Sequence, residues 1–245
     1  MTTTPLDRGL SADSAQDLAA TAFTLAKRFA AGATMWAIAP GAEPHAQHIA
    51  VEFVHPVIMG TRALPAVALT GPELVDLVRV SAQPGDVVVA VSGADDPDVR
   101  SVMRRAPAWG ATTVWIGGGP RPADGAADHV LWLDDADPRA PATGDVVLLY
   151  HLLWELTHVC FEHSGLLTPE AGAADETVCV TCSDEGRLGE VVEASAGEAQ
   201  GVARVRTACG VEDVVTTLVD PVAPGDLLLV HAGMAISRLD SEAGR

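Results

Sequence analysis

Basic residues are scarce in this chain: 15 Lys and Arg, with Lys27 the single lysine, stand against 33 Asp and Glu, for a formal net charge of −18. A surface of that sign repels a phosphate backbone, which argues against nucleic acid as a partner, and its plainest role is to keep a soluble protein solvated. Long apolar runs are missing too. No stretch approaches the ~18 residues that span a bilayer, so no membrane span is expected. The opening MTTTPLDRGLSADSAQ lacks a basic region followed by an apolar one, so no signal peptide is read and the expected location is the cytoplasm. Cysteine is limited to four residues, two of which, Cys179 and Cys182, form a C-x-x-C pair in ETVCVTCSDEG. In a reducing compartment such a pair points to metal binding or redox work ahead of a structural disulfide.

What is present is a globular composition, 48 % apolar and 20 % charged, in 245 residues, enough for one large core or two modest ones. From Ser14 to Ala31 apolar residues recur at helical spacing, through Leu18, Ala22, Leu25 and Phe29. Short apolar runs follow, TMWAIAP, RALPAVALT, GDVVVAVSG, TTVWIGG and DHVLWLDD, separated by helical stretches at 43–55, 72–81, 97–109 and 146–163. Strands that are apolar along their whole length and alternate with helices suit a parallel sheet covered on both faces. Residues 1–167 therefore read as a three-layer α/β domain. The pattern stops at LLTPEAGAADET, a composition that suits a linker, set at 168–177. Residues 178–245 hold short β-rich runs, RLGEVVEA, GVARVRT, EDVVTTLVD and GDLLLVHAG, which predict a small antiparallel barrel ending in a helix-like tail, MAISRLDSEAGR.

The stretch PVAPGDLLLVHAGMAISRLDSEA contains Gly225 and Asp226, an apolar strand, Val230, His231 and Gly233, then Ala235, Ile236, Ser237, Leu239 and Asp240. In that order these residues resemble the C-terminal half of the HypC/HupF family of nickel–iron hydrogenase maturation chaperones. The resemblance implies an OB-like barrel that carries an iron centre bearing cyanide and carbonyl ligands to the hydrogenase large-subunit precursor, with a HypD-type maturation protein as a second partner. It also implies a thiolate for the iron, for which Cys179 and Cys182 are the candidates, and a nearby histidine, matched by His231. A soft thiolate suits low-spin iron with strong-field ligands, and an imidazole beside it can coordinate or tune the metal. Here the cysteines are internal and CVTCSDEG replaces the family's Cys followed by small apolar residues and Pro-Gly. Two other readings of the pair stand beside this one: a structural zinc knuckle, for which only Cys209 and His231 could complete the set, and a thioredoxin-type redox motif, which should open a helix after a strand.

The first domain resembles sugar-isomerase (SIS) domains of the phosphoheptose isomerase type, through LAKRFAAGATMWAIAPGAEPHAQHIAVEF and GDVVVAVSGADDPDVRSVMRRAPAWGATTVWIGGG. That family holds a sugar phosphate with hydroxyls and backbone N–H groups at helix N-termini, where the dipole favours an anion. The corresponding turn here, APGAEPHAQH, has no serine and brings Glu43 and Pro44 to the phosphate position. The second turn keeps Ser92 as the residual phosphate-turn position but continues into Asp95 and Asp96. Phosphate binding is therefore expected to be lost. His48 and Glu52, four apart, share one helix face, and His151 falls where the zinc-containing isomerases place a further ligand; Thr143 aligns with the family's fourth ligand. The three form either a divalent metal site, with zinc the implied ion, or a hydrogen-bond cluster.

The combined expectation is a cytoplasmic hydrogenase-maturation carrier in which a degenerate SIS-like domain precedes the barrel. It is expected to pair as a homodimer through the apolar stretch VVLLYHLLWEL. The alternatives are a metal-dependent sugar-phosphate isomerase and a metabolite-binding SIS protein, each with an appended barrel.

Overall fold

A computed structural model of the chain describes residues 12–56, 60–134, 144–167, 186–194, 201–219 and 221–239. The chain forms two compact units, the first of residues 1–106 and 112–168, the second of 107–111 and 169–245.

The first unit runs α1 (Ala12–Ala30), β1 (Met35–Ile38), α2 (Glu43–Val54), β2 (Ala66–Leu69), α3 (Leu74–Ser81), β3 (Val87–Val91), α4 (Pro97–Arg105), β4 (Thr112–Gly118), β5 (His129–Leu133) and α5 (Gly144–Glu162). The five strands pair in parallel in the order β2-β1-β3-β4-β5. β3 and β4 are buried at every position, as the continuous apolar runs require. Val87, Val89 and Val91 join Val114, Ile116, Leu131 and Leu133 in one core with Leu25 and Phe29 of α1, Ile49 and Phe53 of α2, and Leu149 and Leu153 of α5. α3 and α4 pack on each other and against β2 and β4. The helix expected over 97–109 is α4 followed by a 3₁₀ turn at Ala106–Trp109. Pro107 lacks the N–H that a continued α-helix would use.

Asp86, buried just before β3, ties the strand entries together. Its carboxylate accepts from the Thr34 and Gln83 backbone N–H groups at 2.8 and 2.9 Å and from Trp36 Nε1 at 2.9 Å. Three charge-assisted bonds offset the cost of burying the carboxylate.

The second unit closes a five-stranded barrel from β6 (Arg187–Ala194), β7 (Val202–Thr207), β8 (Gly210–Val215), β9 (Leu227–His231) and β10 (Met234–Leu239), in the order β10-β8-β7-β6-β9. β9 returns to pair with β6, which removes the free edges. All pairings are antiparallel except β10 with β8. Val191, Ala203, Val205, Val214, Leu228, Val230 and Ala235 fill the interior.

The tail expected to be helical is, over its described residues, the strand β10. Ala232 and Gly233 take positive φ, 47° and 77°, and turn the chain straight back so that Met234 pairs with His231. Two such residues make the tight turn that matches strand twist, and once the hairpin closes Ala235 is buried between exposed neighbours. Helical spacing in this segment had no helix-sized apolar face to bury. Among the described residues, no helix is long and apolar enough to cross a membrane.

Candidate functional site

In a sheet of order 2-1-3-4-5 the connections leave in opposite directions from β1 and β3, and the crevice beyond their carboxyl ends is where such folds hold ligands. Here that crevice is bounded by the turn after β1, which enters α2, and the turn after β3, which enters α4. The sequence places carboxylates in both.

At the first turn α2 begins at Glu43 with Pro44 behind it, and Ala42 offers no side-chain cap. At the second, Ser92 is 3 % exposed and its hydroxyl is already committed: it donates to the Gly93 carbonyl at 3.0 Å and accepts from Trp115 Nε1 at 3.0 Å. Asp96 caps α4, accepting from the Val99 N–H at 2.9 Å, so a side-chain carboxylate occupies the anion position of this helix N-terminus. The Asp95 carboxylate lies over Gly93, close enough that a Cβ there would stand 2.9 Å from its Oδ1. A phosphate approaching this turn meets two negative charges and no free serine hydroxyl.

A second feature lies between α2 and α5. His48 and Glu52 stand one turn apart on α2, and α5 brings His151 to them, with the Trp154 indole N–H donating to the Glu52 carbonyl at 2.8 Å to hold the helices in register. His48 Nε2 is 3.3 Å from Glu52 Oε1 and 3.2 Å from His151 Nε2, and His151 Nε2 is 3.8 Å from Glu52 Oε1. Ligands at zinc distances of about 2.0–2.1 Å in tetrahedral array stand roughly 3.3 Å apart, so these three atoms are spaced as a zinc site requires. Two imidazoles and a carboxylate are also the donor set that zinc takes. The residues fit the ion, which would act as a Lewis acid and lower the pKa of a bound water.

Tyr150 sits directly behind this triad, its hydroxyl 3.0 Å from His48 Nδ1 and 3.3 Å from His45 Nδ1. Burial, aided by the Glu52 charge, pushes its phenol up to about 12, so it remains a hydrogen-bonding O–H at neutral pH. No sequence signal singled out Tyr150; its one mark is that it precedes His151 on α5. His55 follows the last residue of α2 and takes no place in the triad.

Thr143, Cys179, Cys182 and Asp240 lie outside the described residues. His231 ends β9 at the mouth of the β9–β10 turn, where Arg187, the first residue of β6, pairs with its neighbour Val230. The other two cysteines differ in setting. Cys160 is buried in α5, where desolvation raises its pKa and keeps it a packing thiol, whereas Cys209 is exposed in the β7–β8 turn. The apolar stretch expected to pair two copies is largely used within its own unit: Val146, Leu149, Tyr150, Leu153 and Trp154 are core residues, and Leu148 remains on the surface.

Comparison with known proteins accounts for both units. A family model described as the HupF/HypC family matches residues 172–245. A phosphoheptose isomerase from Nitratidesulfovibrio vulgaris (strain DSM 19637 / Miyazaki F) is 35 % identical over 150 residues, covering 53 % of this chain and 70 % of that protein. The solved structure of a phosphoheptose isomerase from Francisella tularensis, 18 % identical, covers 60 % of this chain and 90 % of its own with a TM-score of 0.50, a likeness of fold. The chain thus belongs to the phosphoheptose isomerase family of SIS proteins through its first unit, and its residues 172–245 match the HupF/HypC family.

Proposed function

We propose that this chain is a maturation chaperone for a nickel–iron hydrogenase, receiving an iron centre with cyanide and carbonyl ligands as cargo and passing it to the large-subunit precursor. The observation that carries this reading is the HupF/HypC match over residues 172–245, a stretch whose described residues close into a barrel. The cargo is held by the thiolate of Cys179 or Cys182, with His231 beside it. Cys182 is five residues along the chain from Arg187, whose strand partner is Val230, the neighbour of His231. Thiolate coordination also suits a carrier, because the acceptor's own cysteines can displace it one ligand at a time. A HypD-type protein is the donor, the cytoplasm the location, and a homodimer the assembly.

Anaerobic purification followed by infrared spectroscopy in the cyanide and carbonyl stretching region tests this. The wild type should show the bands, Cys179→Ala should lose them, Cys182→Ala should weaken them, and Cys209→Ala should leave them intact. If the Cys179 and Cys182 variants both mature hydrogenase normally while losing zinc and thermal stability, the pair is a structural knuckle.

A second reading, a metal-dependent isomerase acting on a sugar phosphate, is favoured by the His48, Glu52 and His151 geometry and by the identity to a phosphoheptose isomerase. The committed Ser92 hydroxyl and the Asp95 and Asp96 carboxylates oppose it. We therefore assign the first unit a divalent cation at that triad without sugar-phosphate turnover. Turnover of sedoheptulose 7-phosphate that Glu52→Gln abolishes would reverse that assignment.

A further inference from the structure

We propose that Tyr150 is a positioning residue for cation binding: its hydroxyl holds His48 in the tautomer that bears its proton on Nδ1, and it is itself held by His45. This rests on the reading of His48, Glu52 and His151 as a cation site.

A phenol has one proton to give and can accept more than one, and a neutral imidazole has one N–H. Tyr150 contacts Nδ1 of both His48 and His45, at 3.0 and 3.3 Å. For His48 to ligate a cation beside Glu52 and His151 its Nε2 must offer a lone pair, so its proton sits on Nδ1 and donates to the Tyr150 oxygen. The phenol proton is then free to point at His45 Nδ1, which can accept it on its lone pair. One order leaves the site open to a cation: His48 Nδ1–H to Tyr150, Tyr150 O–H to His45. The opposite order has the phenol donating to His48 Nδ1 and moves the His48 proton to Nε2. There it bonds with Glu52 Oε1 at 3.3 Å or His151 Nε2 at 3.2 Å and closes the site to a cation.

Two further facts support the assignment. The Tyr150 side chain is buried, 2 % exposed, so water does not readily replace either partner. Both histidine rings meet the tyrosine ring edge-on, at 77° and 80°, with centroids 5.9 and 5.5 Å away. His45 thereby influences a site it does not touch.

The test uses the full chain stripped of metal and titrated with Zn2+ or Co2+ against a chelator, with imidazole 15N spectra of the zinc form. The wild type should bind, with His48 carrying a slowly exchanging Nδ1 proton. Tyr150→Phe, which keeps the buried ring, should lose that proton signal and weaken zinc binding about 10–100-fold at unchanged far-UV circular dichroism. His45→Ala, at a partly exposed position, should weaken binding by a smaller factor and broaden the same signal. Tight zinc binding by Tyr150→Phe with the Nδ1 proton intact overturns the role given to Tyr150 and leaves the cation site standing. A wild type that takes up neither ion overturns the site reading and this inference with it.

Discussion

Bringing the folded, metal-stripped protein to about pH 10.5 should leave its one tyrosine un-ionised, and burial beside Glu52 sets the size of the effect. Burial is the larger cause of the raised Tyr150 pKa and the Glu52 charge the smaller, together pushing it up to about 12. At that pH an ordinary phenol would be about three-quarters tyrosinate, whereas one at about 12 is roughly 3 % ionised. Because the chain has a single tyrosine, the near-ultraviolet tyrosinate band reports this residue alone. Glu52→Gln should lower the midpoint yet leave it above the ordinary value, since burial persists. The folded chain keeps a proton that the unfolded chain releases from about pH 10 upward. The contribution is therefore complete below about 10 and lost as pH climbs through about 12. A three-quarters tyrosinate signal at unchanged far-UV circular dichroism would show that Tyr150 is solvated, and the packing of α5 against α2 drawn above would be wrong.

His129 should show the opposite end of the scale: burial lowers its pKa against the raising charges of Asp128 and Asp17, so the folded chain resists a proton that the unfolded chain accepts. Stability from this group falls as pH drops below about 6.5, and urea titrations should show His129→Gln losing less than wild type on acidification. Gly117→Ala should cost roughly 1–3 kcal/mol or more in the same assay, because its Cβ would lie 2.3 Å from the Ser92 carbonyl and 2.5 Å from the Trp132 ring; an unchanged midpoint would mean that β4 and the Ser92 turn separate freely. Asp96→Ala should destabilise the protein by about 1 kcal/mol through loss of the α4 cap, while Asp96→Asn, which still accepts from the Val99 N–H, should cost much less. Equal losses for the two would show that charge and not capping fixes the turn.

Much of the first unit follows from local chemistry that a sequence displays. VVVAV and TTVWIGG are apolar on both faces, and a strand buried on both faces belongs inside a covered parallel sheet. The spacing of four between His48 and Glu52 places them on one helix face before any tertiary contact exists. Carboxylates in the two turns were equally legible, since Glu43, Asp95 and Asp96 stand in place of the expected hydroxyls.

Other features exist only through packing between distant parts of the chain. Ser92 reads as an available hydroxyl until Trp115, from the neighbouring strand, donates to it. Tyr150 reads as one more apolar residue of α5 until α2 brings His45 and His48 against its oxygen, 105 and 102 positions away in sequence. MAISRL carries a spacing that a helix could use, and the decision for a strand came from the hairpin: Ala232 and Gly233 reverse the chain, and β9 supplies backbone partners that a lone terminal helix would lack. A short stretch determines its own periodicity and charge. Which of its polar atoms remain free to do chemistry is decided by what folds against them.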